Sequence, residues 1–523
     1  MSKATDLLTA LYDKGVRLWL DNGQIRYRAT HGALNSEQVD ALRDLKQEVI
    51  AALFDKNETA VDGKKDVAQI ITLAPLTFRQ ESLWNAVQQD PPGSNRMVPH
   101  ALRLHGPLSV DALRRGLSAV VHRHEALRTT IALVDGTVKQ RVHQPPESSL
   151  HFIRLTHMPK VEAEAEAQSA VLNIFTRPVD LAVGPLFRAA LISVLNNEHV
   201  LAVSVHHIVT DAASFSLFFK ELWLFYNDFV LSKSTHYPPV EMQCADYARW
   251  QHSTHFQWHE EYWRGRLANA TRLKFPVDPP SSVGKQRHAA GGAFSLGMKL
   301  SNLLHEFSRR ERMALGIVVL ALYAAFVSHS CNQRDLILPF QARGRPYPEH
   351  LNMMGYFAHP LLLRIEMTGQ ETFHQVLQLV SCELFNAEEH TDCGKLIAIA
   401  PHFMEGGLFQ WYTYAHWDFG ETVPIRGSDG SSVITVEEFV LQEDTTPGTE
   451  WMETDIMFHL HDAKSEILGF VMYRLDLFTS ERIQKLMQEF KALAEYAITH
   501  PADRLSEFTA WAGAHDTFEL RPN

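Results

Sequence analysis

The stretch Val205-His206-His207-Ile208-Val209-Thr210-Asp211-Ala212 is the most informative part of this 523-residue chain. It follows an apolar run, 200–205, that predicts a buried strand, and it precedes a segment, 215–226, with helical spacing. Adjacent side chains on a strand point in opposite directions, so one histidine can face a cleft while the other faces the core. A neutral imidazole can accept a proton near neutral pH, and Asp211 can return to hold a loop or an imidazole. The residues alone leave two interpretations open, a catalytic histidine or two hydrogen-bonded core histidines.

Composition and charge narrow the class of protein. The chain has 49 Lys and Arg against 61 Asp and Glu, a net charge of -12, which argues against nucleic acid and against an anionic membrane as partners. Its four cysteines are scattered and favour reduced core residues over a disulfide framework. The start of the chain lacks a signal-peptide pattern, and the longest apolar run, 313–327, is shorter than a membrane span and predicts a buried helix. We therefore expect a soluble, cytoplasmic protein.

The chain predicts a small N-terminal domain and two larger lobes. Within residues 1–57, alternating segments at 16–20 and 25–28 flank Asp21-Asn22-Gly23, which predicts a β-hairpin, and helices are expected at 5–13 and after Ser36. Residues 58–73 are expected to be a linker. Two lobes of mixed α and β structure follow at 74–270 and 271–510, with a tail at 511–523.

Local patterns predict several elements of the lobes. Ser109 is expected to cap a helix that carries Leu113, Leu117 and Val120. Further strands and helices are predicted at 101–105, 187–195, 200–205, 336–339, 454–461, 467–473 and 481–497.

Motifs in order along more than 400 residues resemble the condensation domains of nonribosomal peptide synthetases. The first stretch is similar to HHxxxDG, with Ala212 in place of Gly, and 123–130 matches RHExLRTxF. The stretch 76–84 keeps the Gln and Leu-Trp of the first family motif but not its usual Ala and Arg. Further similar stretches lie at 246–250, 261–264, 354–360, 390–392 and 473–478. Two departures are His359, where Asn is usual, and Gly394-Lys395, where Pro-Phe is usual.

The resemblance implies an α/β (α+β) fold of two chloramphenicol-acetyltransferase-like lobes in a V, with the histidine motif in a tunnel between them. It implies transfer of a carrier-bound acyl thioester to a nucleophile, with His207 as the catalytic histidine. His206 would support the strand and the loop. Asp211 would be a structural partner, salt-bridged to an arginine for which Arg345 is the first candidate and Arg343 the second.

Two more residues are implied as active-site support. Ala212 can offer an oxyanion the backbone N–H that the motif's glycine would offer, provided that its φ is negative. Arg128, from the second motif, is the other. Whether His207 acts as a general base or as a positioning group stays open, as does the choice between an amine and a hydroxyl acceptor.

The N-terminal domain resembles the β-hairpin docking domains of the TubC type, with an αββα arrangement. By adding a strand to the hairpin, those domains bind the C-terminal tail of an upstream carrier-protein subunit. The docking candidates are the basic, apolar and aromatic residues of this segment: Lys14, Arg17, Leu18, Trp19, Arg26, Tyr27 and Arg28. The implied partners are the tail and the carrier domain of an upstream synthase subunit. A solvated basic face is the alternative interpretation.

The layout is similar to freestanding condensation enzymes that release the chain from a polyketide or peptide assembly line. We expect a monomer without a cofactor of its own, since its acyl substrate is carried on the phosphopantetheine arm of a partner. The acceptor would be a small molecule or a second carrier protein. A non-catalytic recruitment domain with a divergent condensation fold is the alternative. The pair His459 and His461 is a weak metal candidate, and we predict no metal site.

Overall fold

The computed structural model describes residues 11, 17–21, 24–28, 41, 45, 70–88, 96–146, 149–233, 235, 237–254, 256–278, 289–345, 347–391, 403, 408–413, 423–441, 454–463 and 466–508. The chain divides into two compact units, Met1–Gln69 and Ile70–Asn523. In chain order the described strands are β1 (Arg17–Asp21), β2 (Gln24–Arg28), β3 (Ile70–Pro75), β4 (Met97–His105), β5 (Thr129–Val134), β6 (Thr137–His143), β7 (Leu150–Arg154), β8 (Phe187–Leu195), β9 (Glu198–His206), β10 (Ala289–Ser295), β11 (Asp335–Ala342), β12 (His359–Glu366), β13 (Leu408–Thr413), β14 (Ile425–Arg426), β15 (Val433–Glu438), β16 (Ile456–Asp462) and β17 (Ile467–Arg474). The described helices are α1 (Phe78–Val87), α2 (Val110–Arg123), α3 (Lys160–Thr176), α4 (Ala212–Val230), α5 (Cys244–Ser253), α6 (Gln257–Arg266), α7 (Met298–Glu311), α8 (Leu315–Ser330), α9 (Phe373–Glu389) and α10 (Ser480–Thr499).

The N-terminal unit contains the predicted hairpin. β1 and β2 pair antiparallel, and the register places Arg17 opposite Arg28 and Trp19 opposite Arg26. Two residues separate the strands, the spacing expected for a tight Asn-Gly turn. Of the predicted flanking helices only residues 11, 41 and 45 are described. Of the predicted linker, 58–73, only 70–73 are described, and they belong to β3 of the larger unit instead.

The first lobe of the larger unit is a six-stranded sheet covered on both faces. Its strand order is β14-β15-β4-β9-β8-β7, which includes the predicted antiparallel pair of β8 and β9. Leu201, Val203 and Val205 of β9 pack with α2 and α4, whereas Val200 and Ala202 pack with α3. Because both faces are buried, 200–205 is a continuous apolar run rather than an alternating one. The predicted cap of α2 is present, since the Ser109 hydroxyl accepts from the helix N-terminus.

The second lobe is built around α8, which is buried along most of its length, as its apolar sequence predicts. Its six-stranded sheet has the order β10-β17-β16-β13-β11-β12, and α7, α9 and α10 share its core. Among the described residues no single helix is long and apolar enough to cross a membrane. The pair α7 and α8 passes that test only together, and the two helices are bent by 111° at the break between them.

One strand crosses from the second half of the chain into the sheet of the first lobe. β15 pairs antiparallel with β4, placing Val436 opposite Leu104, and β14 continues the edge. The predicted second lobe, 271–510, includes 425–438, so the place of these residues in the sheet of the first lobe differs from that prediction. The crossing strand covers the edge of β4 that β9 does not, and so removes an unpaired strand edge. The mixed α and β fold and its two lobes are otherwise as expected.

Candidate active site

The histidine motif lies on the loop between β9 and α4. β9 ends at His206, and a short 3-10 turn, His207–Val209, follows. His206 is buried; its N–H donates to the carbonyl of Leu186 at 2.8 Å and its Nδ1 accepts from the N–H of Ile208 at 3.1 Å. These bonds place His206 at the end of the strand and in the loop, where the sequence analysis put its supporting role.

The imidazole of His207 has a defined tautomer. Its Nδ1 lies 2.9 Å from the carbonyl oxygen of Thr210. A carbonyl oxygen only accepts, so Nδ1 carries the hydrogen and Nε2 is the nitrogen that can accept a proton. Burial lowers the pKa of His207, and the nearby carboxylate of Asp211 only partly opposes that effect. The ring is therefore neutral at pH 7 and suited to accept a proton through Nε2.

Two side chains that the sequence analysis did not single out surround this imidazole. The Tyr356 ring packs against the His207 ring at a centroid distance of 4.7 Å and an interplanar angle of 68°. The Tyr356 hydroxyl accepts a hydrogen bond of 3.0 Å from Arg79, which lies on α1. The Arg79 guanidinium also donates to the carbonyl of Ala358 at 3.3 Å.

The first turn of α1 is fixed to the loop that carries His207. The side chain of Gln80 is buried and donates to the carbonyl of Ile208 at 3.0 Å. Thr77 and Gln80 form a capping box, which defines where the helix begins. The stretch 76–84 was noted only for its resemblance to a family motif, and no local pattern indicates that it meets the histidine loop.

Both carboxylate oxygens of Asp211 accept several hydrogen bonds. Arg345 donates to its two oxygens at 2.9 Å each, and the side chains of the pair are 3% and 1% exposed. Ser214 donates to Oδ1 through its N–H at 2.9 Å and its hydroxyl at 2.8 Å. The N–H groups of Phe357 and Ala358 donate to Oδ2 at 3.0 Å each. Burial alone raises the pKa of Asp211, but the charge and hydrogen bonds of Arg345 outweigh it, so the pKa is lowered and the carboxylate stays ionised.

The ion pair predicted between Asp211 and Arg345 is thus present, and the second candidate takes another position. Arg343 contributes its carbonyl oxygen, to which Arg345 donates at 3.0 Å. Gly344 between them has φ +67, and a Cβ there would clash with the carbonyl oxygen of Phe357. The tight approach of the two loops therefore requires glycine at this position.

His359 extends the loop that carries Tyr356. Its Nδ1 donates to the carbonyl of Phe357 at 2.9 Å, so its Nε2 accepts from the hydroxyl of Thr391. Burial lowers the pKa of His359 to about 4, which keeps this ring neutral. His359 therefore links the loop below Asp211 to the end of α9.

Of the two remaining predicted support residues, Ala212 lies at the histidine loop and Arg128 does not. Ala212 is the first residue of α4 and is absent from the described non-glycine residues with positive φ, so the condition placed on its backbone is met. Arg128 instead binds the carbonyl of His143 and pairs with Glu125 at 3.8 Å. Its described contacts do not bring it to His207. It stabilises the connection between α2 and β5.

The second motif contributes to the site through its other residues. His124 Nε2 lies 2.6 Å from a carboxylate oxygen of Glu221, and Arg123 binds the other oxygen at 3.1 Å. Glu221 lies on α4, the helix that begins at the histidine loop. Arg123 and His124 therefore fix the helix that Asp211 caps.

The docking candidates and the possibility of a metal site are the remaining sequence predictions. Lys14 lies outside the described residues, and the remaining docking candidates are described through the backbone of β1 and β2 alone. Within the described parts of the chain, His, Cys, Asp and Glu form no group of three or more that could hold a metal ion.

Comparison with known proteins identifies two families in separate parts of the chain. Residues 70–516 match the family described as the condensation domain, and residues 5–54 match the TubC N-terminal docking domain. Tyrocidine synthase 2 of Brevibacillus parabrevis is 26% identical over 471 residues, which cover 88% of this chain and 12% of that protein. Chondramide synthase cmdD of Chondromyces crocatus is 25% identical over 448 residues, covering 83% of this chain and 11% of the synthase. The chain thus spans about a tenth of the length of these relatives.

Solved structures share the fold. SgcC5 from Streptomyces globisporus superposes with a TM-score of 0.64 at 22% identity, covering 82% of this chain and 100% of that structure. The condensation domain of the monacolin K polyketide synthase MokA gives a TM-score of 0.66 at 19% identity, covering 84% and 100%. At these identities the likeness concerns the fold alone.

Proposed function

This chain belongs to the condensation-domain family, and we propose that it transfers an acyl chain from the phosphopantetheine thioester of a carrier protein to an amine or hydroxyl acceptor. The observation that supports this best is the imidazole of His207. Its Nδ1–H donates to the carbonyl of Thr210 at 2.9 Å, which leaves Nε2 as the nitrogen that can accept a proton. His207 is accordingly the proposed catalytic residue.

The proposed step is acyl transfer with balanced proton movement. The acceptor nitrogen or oxygen attacks the thioester carbonyl carbon, a C–N or C–O bond forms, and the C–S bond breaks. Nε2 of His207 takes the proton of the acceptor and passes it to the leaving sulfur, so the imidazole ends the cycle neutral. A hydroxyl depends most on this base, whereas an amine with a pKa of about 8 has a neutral fraction for which positioning contributes more.

The N-terminus of α4 supplies a donor for the charge that develops on the carbonyl oxygen. The first N–H groups of a helix have no partner within the helix, and they favour a negative charge. Ala212 is the first residue of α4, and its N–H is the proposed oxyanion donor. Arg345, Asp211 and His206 hold the loop on which His207 and Ala212 lie.

The docking unit is the proposed site for the upstream subunit. The match over 5–54 and the two-stranded sheet of β1 and β2 support strand addition at an edge of the hairpin. Carrier proteins are usually acidic, and a net charge of -12 opposes their approach. Local attraction by the basic residues of 14–28 then directs the tail to the hairpin. The carrier thus arrives in trans, and transfer to a free acceptor releases the chain as an ester or amide.

An acylated carrier offered to a panel of amines and alcohols tests the reaction, with intact-mass analysis of carrier and product. We expect released product with the native chain and none with His207→Ala. His122→Ala, which removes an exposed histidine on α2, is the matched control and should leave turnover unchanged. Native turnover by folded His207→Ala would contradict the catalytic role of His207, and absence of product with the native chain would favour a recruitment domain. Product found on a second carrier would contradict release.

Charge reversal in the full-length chain tests the docking role. Replacing Arg17, Arg26 and Arg28 by Glu should slow transfer from a tail-bearing carrier roughly tenfold at low carrier concentration, because attraction becomes repulsion. Transfer from a small-molecule thioester should be unchanged, and deletion of residues 1–57 should give the same pattern. Equal rates with the carrier would refute docking. The matched control reverses three exposed cations of the larger unit: Lys160, Arg264 and Lys299.

A further inference from the structure

We propose that Arg79 is a positioning residue that holds Tyr356 against the His207 imidazole and so fixes the direction of Nε2. This inference rests on the proposed function, because a fixed Nε2 matters only if His207 handles a proton. It assigns a role to the first turn of α1 that the mechanism above does not use.

The hydrogen bond from Nδ1 to Thr210 does not by itself fix the orientation of the His207 ring. The bond from Nδ1 to Thr210, 2.9 Å long, sets the tautomer but lets the ring tilt about that contact. The Tyr356 ring lies 4.7 Å away at 68° and limits this tilt. The position of the phenol ring therefore determines where Nε2 points.

Arg79 fixes the phenol ring of Tyr356 at its hydroxyl. It donates to the Tyr356 hydroxyl at 3.0 Å and to the Ala358 carbonyl at 3.3 Å, and its guanidinium carbon lies 5.2 Å from the Tyr356 ring centroid. One cation thus binds both the side chain and the backbone of the same loop. This arrangement restricts the loop more than either bond alone.

Arg79 is itself fixed relative to His207 through the first turn of α1. Its neighbour Gln80 is buried and donates to the carbonyl of Ile208 at 3.0 Å. Ile208 follows His207 directly in the chain. Helix α1 therefore binds the histidine turn through Gln80 and the Tyr356 side chain through Arg79. A change at Arg79 is therefore felt at the imidazole without any contact between the two residues.

Arg79 also adds a positive charge near the ring. Among the described residues, the charged or titratable groups that act on the His207 ring or contact it are Asp211 on its own loop, Arg79 on α1 and Tyr356 on the opposite loop. The charge of Arg79 lowers the pKa of His207, because a nearby cation disfavours a second proton on the imidazole. Removal of Arg79 should therefore change both the orientation of His207 and its titration.

The experiment compares Arg79→Ala, Tyr356→Phe and the double variant in the full-length chain. Each single change removes the same hydrogen bond, so we expect each to lower kcat roughly tenfold with the KM for acylated carrier unchanged. The double variant should then be no slower than Arg79→Ala. Arg79→Lys should recover part of the rate. Arg249→Ala is the matched control, because Arg249 also donates to a main-chain carbonyl, that of Leu73 at 3.1 Å.

A second readout needs no turnover. In chain labelled at histidine, NMR titration with His207→Gln as the assignment reference should show a higher pKa for His207 in Arg79→Ala than in the native chain. Unchanged kcat together with unchanged titration would overturn the proposal, as would a change in KM alone. Absence of acyl transfer by the native chain would contradict the proposed function, whereas a higher His207 pKa in Arg79→Ala would still support the effect of Arg79 on the imidazole.

Discussion

Asp211 and His207 lie four residues apart on one loop, yet their side chains differ in how many hydrogen bonds surround them. Both oxygens of Asp211 are saturated by donors from Arg345, Ser214 and the backbone at 357–358. The ring of His207 has one described hydrogen bond, from Nδ1 to Thr210, and an aromatic neighbour. The first arrangement stabilises a structure, and the second keeps one atom available for chemistry.

The difference follows from charge. A buried carboxylate stays ionised only if hydrogen bonds and an opposite charge replace its water, so every unpaired oxygen would be costly. An imidazole can remain neutral when buried, and a neutral nitrogen without a partner is tolerated at much lower cost. Removal from water therefore yields a structural joint at Asp211 and a proton acceptor at His207. Both join segments from the two halves of the larger unit.

Arg345→Ala should have the largest effect, because it leaves the Asp211 carboxylate buried without its cation. We expect the free energy of unfolding to fall by about 3–5 kcal/mol, measured by urea denaturation, and acyl transfer to be lost with it. Arg345→Lys keeps the charge but not the two parallel bonds of 2.9 Å, so an intermediate loss is expected. An Ala variant as stable as the native chain would place Asp211 outside the structural joint.

The pH dependence of acyl transfer should distinguish His207 from Asp211, with the second-largest effect. Burial lowers the pKa of His207, so its neutral form persists below the ordinary histidine value of about 6.5. With a hydroxyl acceptor, which does not itself titrate there, kcat/KM should be flat above that pH. It should fall only at lower pH, as the imidazole gains a proton. Asp211, whose pKa is lowered, stays ionised throughout and should not contribute. A midpoint at or above 6.5 would contradict the burial argument.

The sequence predicts the parts of this comparison that depend on local patterns. The strand before His206 and the helix after Asp211 follow from apolar spacing, and the partner Arg345 follows from the family resemblance. Arg79 and Tyr356 do not follow from any local pattern, because their contact joins positions 277 residues apart. Nothing in the spacing of either stretch indicates that they meet beside His207.

The crossing strand illustrates the same limit in the fold. β15, with β14 before it, lies in the chain between β13 and β16, which belong to the sheet of the second lobe. Its partner, β4, lies more than 300 residues earlier, with Val436 opposite Leu104. Strand propensity indicates that a strand exists but not which edge it covers, since pairing depends on tertiary packing. Position along the chain is therefore a poor guide to the lobe in which a strand lies.

His359→Asn, which restores the residue usual in the family, should have the smallest effect and shows which cluster His359 belongs to. The change removes the bond between Nε2 and Thr391, so we expect a loss of about 1 kcal/mol in the free energy of unfolding. Transfer should stay within about twofold, because the amides that hold Asp211 come from the backbone. Thr391→Val removes the same bond, and combining both changes should add little. A tenfold loss of kcat in His359→Asn would instead assign His359, with Arg79 and Tyr356, to the residues that orient the His207 imidazole.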